Sequence, residues 1–134
     1  QGASKAIEIV EVPNRYLAGI TEVALKEHVA DKTSWQKMLK NEVSTDDLIE
    51  AREKLKQYIP EEAQPYFLAN NGKITEINYP VLQYPKKIKT LNLVKSHVYS
   101  GKLKGVKGQY LLFEDTTVFN VRNNEGFKVI ITIK

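Results

Sequence analysis

Residues 15–30 repeat their apolar positions at helical spacing, whereas from His97 onward apolar and polar residues alternate with the period of two that a half-buried strand imposes. Ahead of the helical stretch, Lys5 to Val12 alternates loosely and is rich in β-branched residues (Ile7, Ile9, Val10, Val12), which predicts a strand ended by Pro13. Asn14 offers an N-cap, and Leu17, Ile20, Thr21, Ala24, Leu25 and His28 then share one face of a helix over Arg15 to Ala30. Asp31-Lys32-Thr33-Ser34 breaks that pattern and caps a second, short helix carrying Trp35, Met38 and Leu39; the two helices are expected to share a core. Ser44 with Asp47 three positions on resembles a capping arrangement for a third helix from Thr45 to about Ile59, striped by Leu48, Arg52, Leu55 and Ile59. Pro60 and Pro65 bracket Glu61-Glu62, a segment that reads either as an irregular turn or as one helical turn.

The Asn70-Asn71-Gly72 run favours a tight turn, and after it the pattern turns to strand. Ile74–Tyr79 and Ile88–Val94 are candidates, with Pro80 and Pro85 making the segment between them extended or an edge. Val98–Val106, Gln109–Glu114, Thr117–Arg122 and Phe127–Ile133 follow, separated by Lys107-Gly108, Glu114-Asp115-Thr116 and Asn123-Asn124-Glu125-Gly126. Such short turns predict an antiparallel meander, curled into a small partly closed barrel. The fold class is therefore α+β: an N-terminal strand with two or three helices, then the β module. The expected organisation is a strand-helix unit over 1–42, a helical connector over 43–72 and a basic β module over 73–134.

Charge sharpens this division. Residues 1–76 hold ten Lys/Arg against thirteen Asp/Glu, and residues 77–134 ten against three. Between Ile77 and Phe113 there is no acidic residue, yet Lys86, Lys87, Lys89, Lys95, Lys102, Lys104 and Lys107 fall there, interleaved with Tyr79, Tyr84, Tyr99, Tyr110 and Phe113. Ammonium groups displace condensed counterions and rings stack on bases, so this composition points to DNA or RNA as partner. In Thr117–Arg122, alternation places Asn120 and Arg122 on one side; with Gln109 from the preceding strand they would form a polar patch suited to phosphate or base edges, or else an ordinary solvent face.

Other chemistries find little support. The chain has no cysteine, which removes disulfides, thiolate metal sites and a cysteine nucleophile, and makes a reducing cytoplasm the natural compartment. No apolar run approaches a membrane span, so no membrane partner is expected. His28 and His97 lack metal-ligand spacing, and no nucleophile-elbow, Walker-type or dinucleotide fingerprint appears. Gly105 and Gly108 flank Lys107 and suggest either amides facing an anion or a strand bending at a corner. The chain opens Gln1-Gly2-Ala3 with its one methionine at Met38, and reads as part of a longer protein.

Two passages carry a resemblance: Arg15 to Lys26 followed by Asp31 to Trp35, and Gly105 to Phe113 with Asn120-Val121-Arg122. Together they resemble an uncharacterised bacterial family known only as a domain of unknown function, in which a cysteine-rich, zinc-ribbon-like region and strands similar to those of GIY-YIG nucleases precede the stretch matched here. The resemblance implies that Lys5–Val12 is the third strand of a GIY-YIG-like unit and that Glu22 stands where that superfamily places its metal-binding glutamate. Ser34 stands where many of those nucleases have an asparagine, and the tyrosine-glycine motifs and catalytic arginine would precede Gln1. Catalysis by this chain alone is not expected; a divalent ion would belong to the intact protein, with no cofactor here. Three readings follow: a nucleic-acid-binding accessory region of a larger cytoplasmic protein, the non-autonomous half of a metal-dependent nuclease, or an interaction module that forms a homodimer through the exposed edge of Lys5–Val12.

Overall fold

A computed structural model of the chain describes residues 2–29, 34–42, 47–69 and 73–133. The fold is mixed α+β, as the pattern predicts, and comprises two compact units: Ala3–Trp35 with Val43–Asn78, and Gln1–Gly2 with Gln36–Glu42 and Tyr79–Lys134. The first holds eight Lys/Arg against twelve Asp/Glu and the second twelve against four, for net charges of −4 and +8.

In the acidic unit, β1 (Lys5–Ile7) pairs antiparallel with β2 (Ile74–Glu76), Lys5 opposite Glu76 and Ile7 opposite Ile74. Both are shorter than expected. Beyond Ile7 the chain leaves the ladder and meets residues 66–68 instead, through a bridge between Val10 and Phe67 and bonds from Glu11 N to Tyr66 O and Leu68 N to Ile9 O. The helix α1 (Arg15–Leu25) starts where Asn14, in extended conformation, accepts the Leu17 amide at 3.0 Å. It stops at Leu25, whose carbonyl takes the amides of His28 and Val29 in a closing turn. The Ser44 cap and the Asn70-Asn71-Gly72 turn lie outside the described residues. Asp47 caps α3 (Leu48–Leu55), accepting Ile49 N at 2.8 Å and Glu50 N at 3.3 Å, and the helix tightens to a 3-10 turn over Lys56–Tyr58. Glu61–Tyr66 is a second 3-10 segment, which decides between the two readings of that stretch. Leu25, Ile59 and Ala63 form the core, walled by Ile9, Val10, Val12, Leu55 and Phe67.

The basic unit is a four-stranded sheet in the order β3-β6-β5-β4: β3 (Lys89–Thr90), β6 (Thr117–Asn120), β5 (Tyr110–Phe113) and β4 (Leu103–Lys107). The β4-β5-β6 meander is antiparallel, but β3 joins β6 in parallel, which a simple meander does not predict. Tyr110, Leu112 and Val118 face a core completed by Met38 and Leu39 of α2 (Trp35–Leu39), with Val81 and Ile88 alongside. The expectation that α1 and α2 share a core is thus corrected: Met38 and Leu39 serve the sheet. Outside β4, Val81 bridges Gly105. That contact requires glycine, since a Cβ on Gly105 would lie 2.7 Å from the Val81 Cα.

Two further expectations fail for physical reasons. The barrel does not close: β3 and β4 remain the outer strands of an open sheet among the described residues. Phe127–Ile133, despite its strand-like alternation, joins no ladder among them; Ile130 is 90 % and Ile133 91 % exposed. Pairing needs an edge as well as a pattern: Pro80–Leu82 already lies along β4, with Val106 N bonded to Pro80 O and Leu82 N to Lys104 O, and β3 at the other edge is two residues long.

Candidate nucleic-acid interface

The register of the sheet gathers lysines that the sequence spreads over some twenty residues. Leu103 opens β4 opposite Phe113, Lys89 opens β3 opposite Thr117, and the hairpin Glu114-Asp115-Thr116 joins Phe113 to Thr117. Lys89, Lys102 and the hairpin therefore share one end of the sheet, and Lys86 and Lys87 lead into it. Lys86, Lys87, Lys89, Lys95 and Lys102 are exposed. Lys95 stands apart from this end, in a turn where the Asn92 side chain accepts the amides of Val94 and Lys95.

The hairpin returns two carboxylates to the lysines. Lys104 meets Glu114 at 2.7 Å, and its hydrogen bond and charge, with a further contribution from Lys102, hold the Glu114 carboxyl below its usual range. The Tyr99 hydroxyl donates to Asp115 at 2.8 Å; that bond, then the Thr117 amide at 3.1 Å and the Thr117 hydroxyl at 2.9 Å, keep Asp115 ionised at lower pH than usual, with Lys89 adding to the effect. Lys86, Lys87 and Lys95 form no ion pair among the described residues.

Lys107 is placed differently. It is 2 % exposed, because Tyr110, its partner across the hairpin, faces the core. Its ammonium donates to Asn41 Oδ1 at 3.0 Å and lies 5.0 Å and 5.5 Å from the ring centres of Tyr84 and Tyr79. Burial pushes its pKa below the ordinary lysine value. Asn41 takes a left-handed φ of 59° as it closes α2, a conformation asparagine tolerates. Lys107 is thus not placed to meet phosphate, and Tyr79 and Tyr84 are engaged in holding it. Gly108 at φ 57° makes the tight turn that follows, whereas Gly105 serves the close approach of Val81.

The polar patch is also redistributed. Val121 N bonds to Gln109 O, so these segments do adjoin, but at the sheet end opposite the lysines. Asn120 is 5 % exposed; its Oδ1 accepts Asn123 N and its carbonyl accepts the Asn124 side chain, closing the turn over Arg122–Asn124. Arg122 is exposed and Gln109 half-buried. Glu22 lies exposed on α1, and among the described residues no three His, Cys, Asp or Glu side chains group as metal ligands. His28 stacks on Tyr58 at 3.5 Å, and His97 is exposed.

One ring escaped sequence reasoning. Phe119 faces away from the core beside Leu111, on the same side of the sheet as Phe113. Tyr99 lies edge-on to Phe113 with ring centres 4.9 Å apart. Phe119 lies beyond the acid-free stretch, but its alternation with Val118 already set it on the face opposite Asn120.

No helix among the described residues is long and apolar enough to cross a membrane. Residues 1–129 match the family model described as Protein of unknown function (DUF2797). No curated protein and no solved structure matches the chain.

Proposed function

The chain belongs to the DUF2797 family, and we propose that it is a nucleic-acid-binding accessory region whose basic unit meets phosphates through Lys86, Lys87, Lys89 and Lys102, with Lys95 as a separate contact in the turn that stands apart from them. The observation that carries this reading is the gathering of exposed lysines at one end of a unit of net charge +8, where Glu114 and Asp115 are the acids that oppose them among the described residues. Polyanion binding of this kind draws its free energy from counterion release, so affinity falls steeply with salt.

The test is binding of the chain to labelled DNA and RNA at low and moderate salt, beside the variant Lys86→Glu/Lys87→Glu/Lys89→Glu. The expected result is salt-sensitive binding that the variant loses. No binding at low salt would end the reading. A second reading, as a protein-interaction module, is favoured by the exposed apolar residues of 127–133; a mass in sedimentation that rises with concentration supports it, and a strict monomer at high concentration counts against it.

A further inference from the structure

We infer that the partner is single-stranded, its bases stacked on the sheet face turned from the core, at the half-buried rings of Tyr99, Phe113 and Phe119, while its phosphates meet the lysine-bearing end. This deepens the nucleic-acid reading above and rests on it.

The face is built by the register. Tyr110, Leu112 and Val118 turn to the core, so Leu111, Phe113 and Phe119 turn away from it, and Val106 and Leu103 follow as the partners of Leu111 and Phe113. These side chains are half-buried or exposed, and apolar surface gathered on one sheet face calls for a partner. Phe119 and Phe113 stand on adjacent central strands, a diagonal relation of about 7–8 Å. A four-stranded sheet carrying aromatic rings on that pattern stacks two or three unpaired bases.

Charge complementarity selects this occupant. Tyr99 is fixed at the lysine-bearing end by its bond to Asp115 and lies against Phe113, so the rings run from the lysines across the face. A strand threaded over them keeps its phosphates beside Lys89 and Lys102. A duplex hides its base faces and would leave these rings uncovered. A second copy is a poor fit in size: three inter-strand steps of about 4.8 Å by four residues of about 3.4 Å give about 200 Å², against about 800 Å² per partner in a stable dimer.

The experiment is fluorescence anisotropy of the full chain with a 12-nucleotide single-stranded DNA, the corresponding RNA and a DNA duplex of the same length at low salt. Phe119→Leu removes the π face while keeping apolar bulk, Phe119→Tyr keeps both, and thermal unfolding of each variant verifies folding. The expected result is at least tenfold preference for either single strand over the duplex. Phe119→Leu is expected to lose about tenfold in affinity, the usual worth of one stacked base, and Phe119→Tyr to retain it; the DNA and RNA arms identify which strand is preferred. Lysine-dependent binding that favours the duplex, or that ignores Phe119→Leu, overturns this inference and leaves the nucleic-acid reading standing. Absence of binding to all three probes removes both. Self-association that Phe119→Leu abolishes would assign the face to a second copy and overturn the inference as well.

Discussion

Among the described residues each unit buries one cation against aromatic rings, and the two solve that problem differently. In the acidic unit Arg52, 2 % exposed, donates to Glu53 at 3.1 Å and to the Ala69 carbonyl at 3.2 Å, with its guanidinium 5.6 Å from the Phe67 ring centre. In the basic unit Lys107 has a neutral amide and two tyrosine rings. A guanidinium keeps its charge under all conditions, whereas an ammonium that burial disfavours can yield its proton. The charge of the two units follows the same division. Counted by unit it is −4 and +8, a sharper contrast than the −3 and +7 of the sequence halves, because residues 36–42 join the sheet and bring Lys37 and Lys40 against Glu42. The lesson is that the sheet unit tolerates positive charge both inside, at Lys107, and outside, at its exposed lysines.

The comparison can be broken most sharply at its buried cations. Arg52→Met is expected to cost about 2 kcal/mol, the loss of charge-assisted bonds being moderated by the half-exposed Glu53; a change under half that size in chemical denaturation would show that Arg52 is not a structural tie. Lys107→Met should change stability by less than about 1 kcal/mol, since an apolar side chain replaces a charge that burial disfavours. Because the folded state lowers this pKa, the unfolded chain binds more protons below the ordinary lysine value, 10.5, and stability should rise with pH through the window between the depressed value and 10.5. Subtracting the Lys107→Met curve from that of the natural chain isolates this rise, and its absence would contradict the burial argument.

Smaller effects sharpen the contrast in surface charge. Glu114 and Asp115 have depressed pKa values, so each contributes stability that is fully present above its ordinary value and is lost as pH falls through the depressed one. Glu114→Gln should flatten part of that acid limb and, by releasing Lys104, tighten the proposed nucleic-acid binding with a steeper salt dependence; weaker binding would mean that Glu114 positions the lysine and does not compete for it. The smallest expected effect lies at Thr116, whose φ of 69° puts a β-branched residue in the left-handed region where a three-residue hairpin favours glycine. Thr116→Gly is expected to raise stability by about 0.5 kcal/mol in thermal unfolding.

Much of the backbone was legible in the sequence. The Asn14 cap, the Leu48-Arg52-Leu55-Ile59 stripe and the turns after Lys107 and Glu114 appear where local chemistry puts them, because each depends on residues a few positions apart. The partner of α2, the parallel pairing of β3 and the isolation of Phe127–Ile133 were not legible, since each is decided by which distant edge or face is free. The candidate interface divided in the same way. The acid-free stretch lies almost wholly within the sheet unit, but alternation alone invites Val106 inward and Lys107 outward. The opposite holds, because Leu112 in the core stands against Gly105 and the strand's parity then carries Lys107 inside.

The segment 127–133 bears on the positive charge in another way. Phe-Lys-Val-Ile-Ile-Thr-Ile has high β-propensity, no proline and a single charge, the makeup of a segment that stacks with copies of itself. Lys128 within it and Lys134 beyond it act as gatekeepers, and the +8 of the whole unit adds a repulsion between chains. Salt screens such a repulsion and a polyanion neutralises it, so self-association through 127–133 is expected to be strongest where the charge is silenced, which light scattering across a salt series checks.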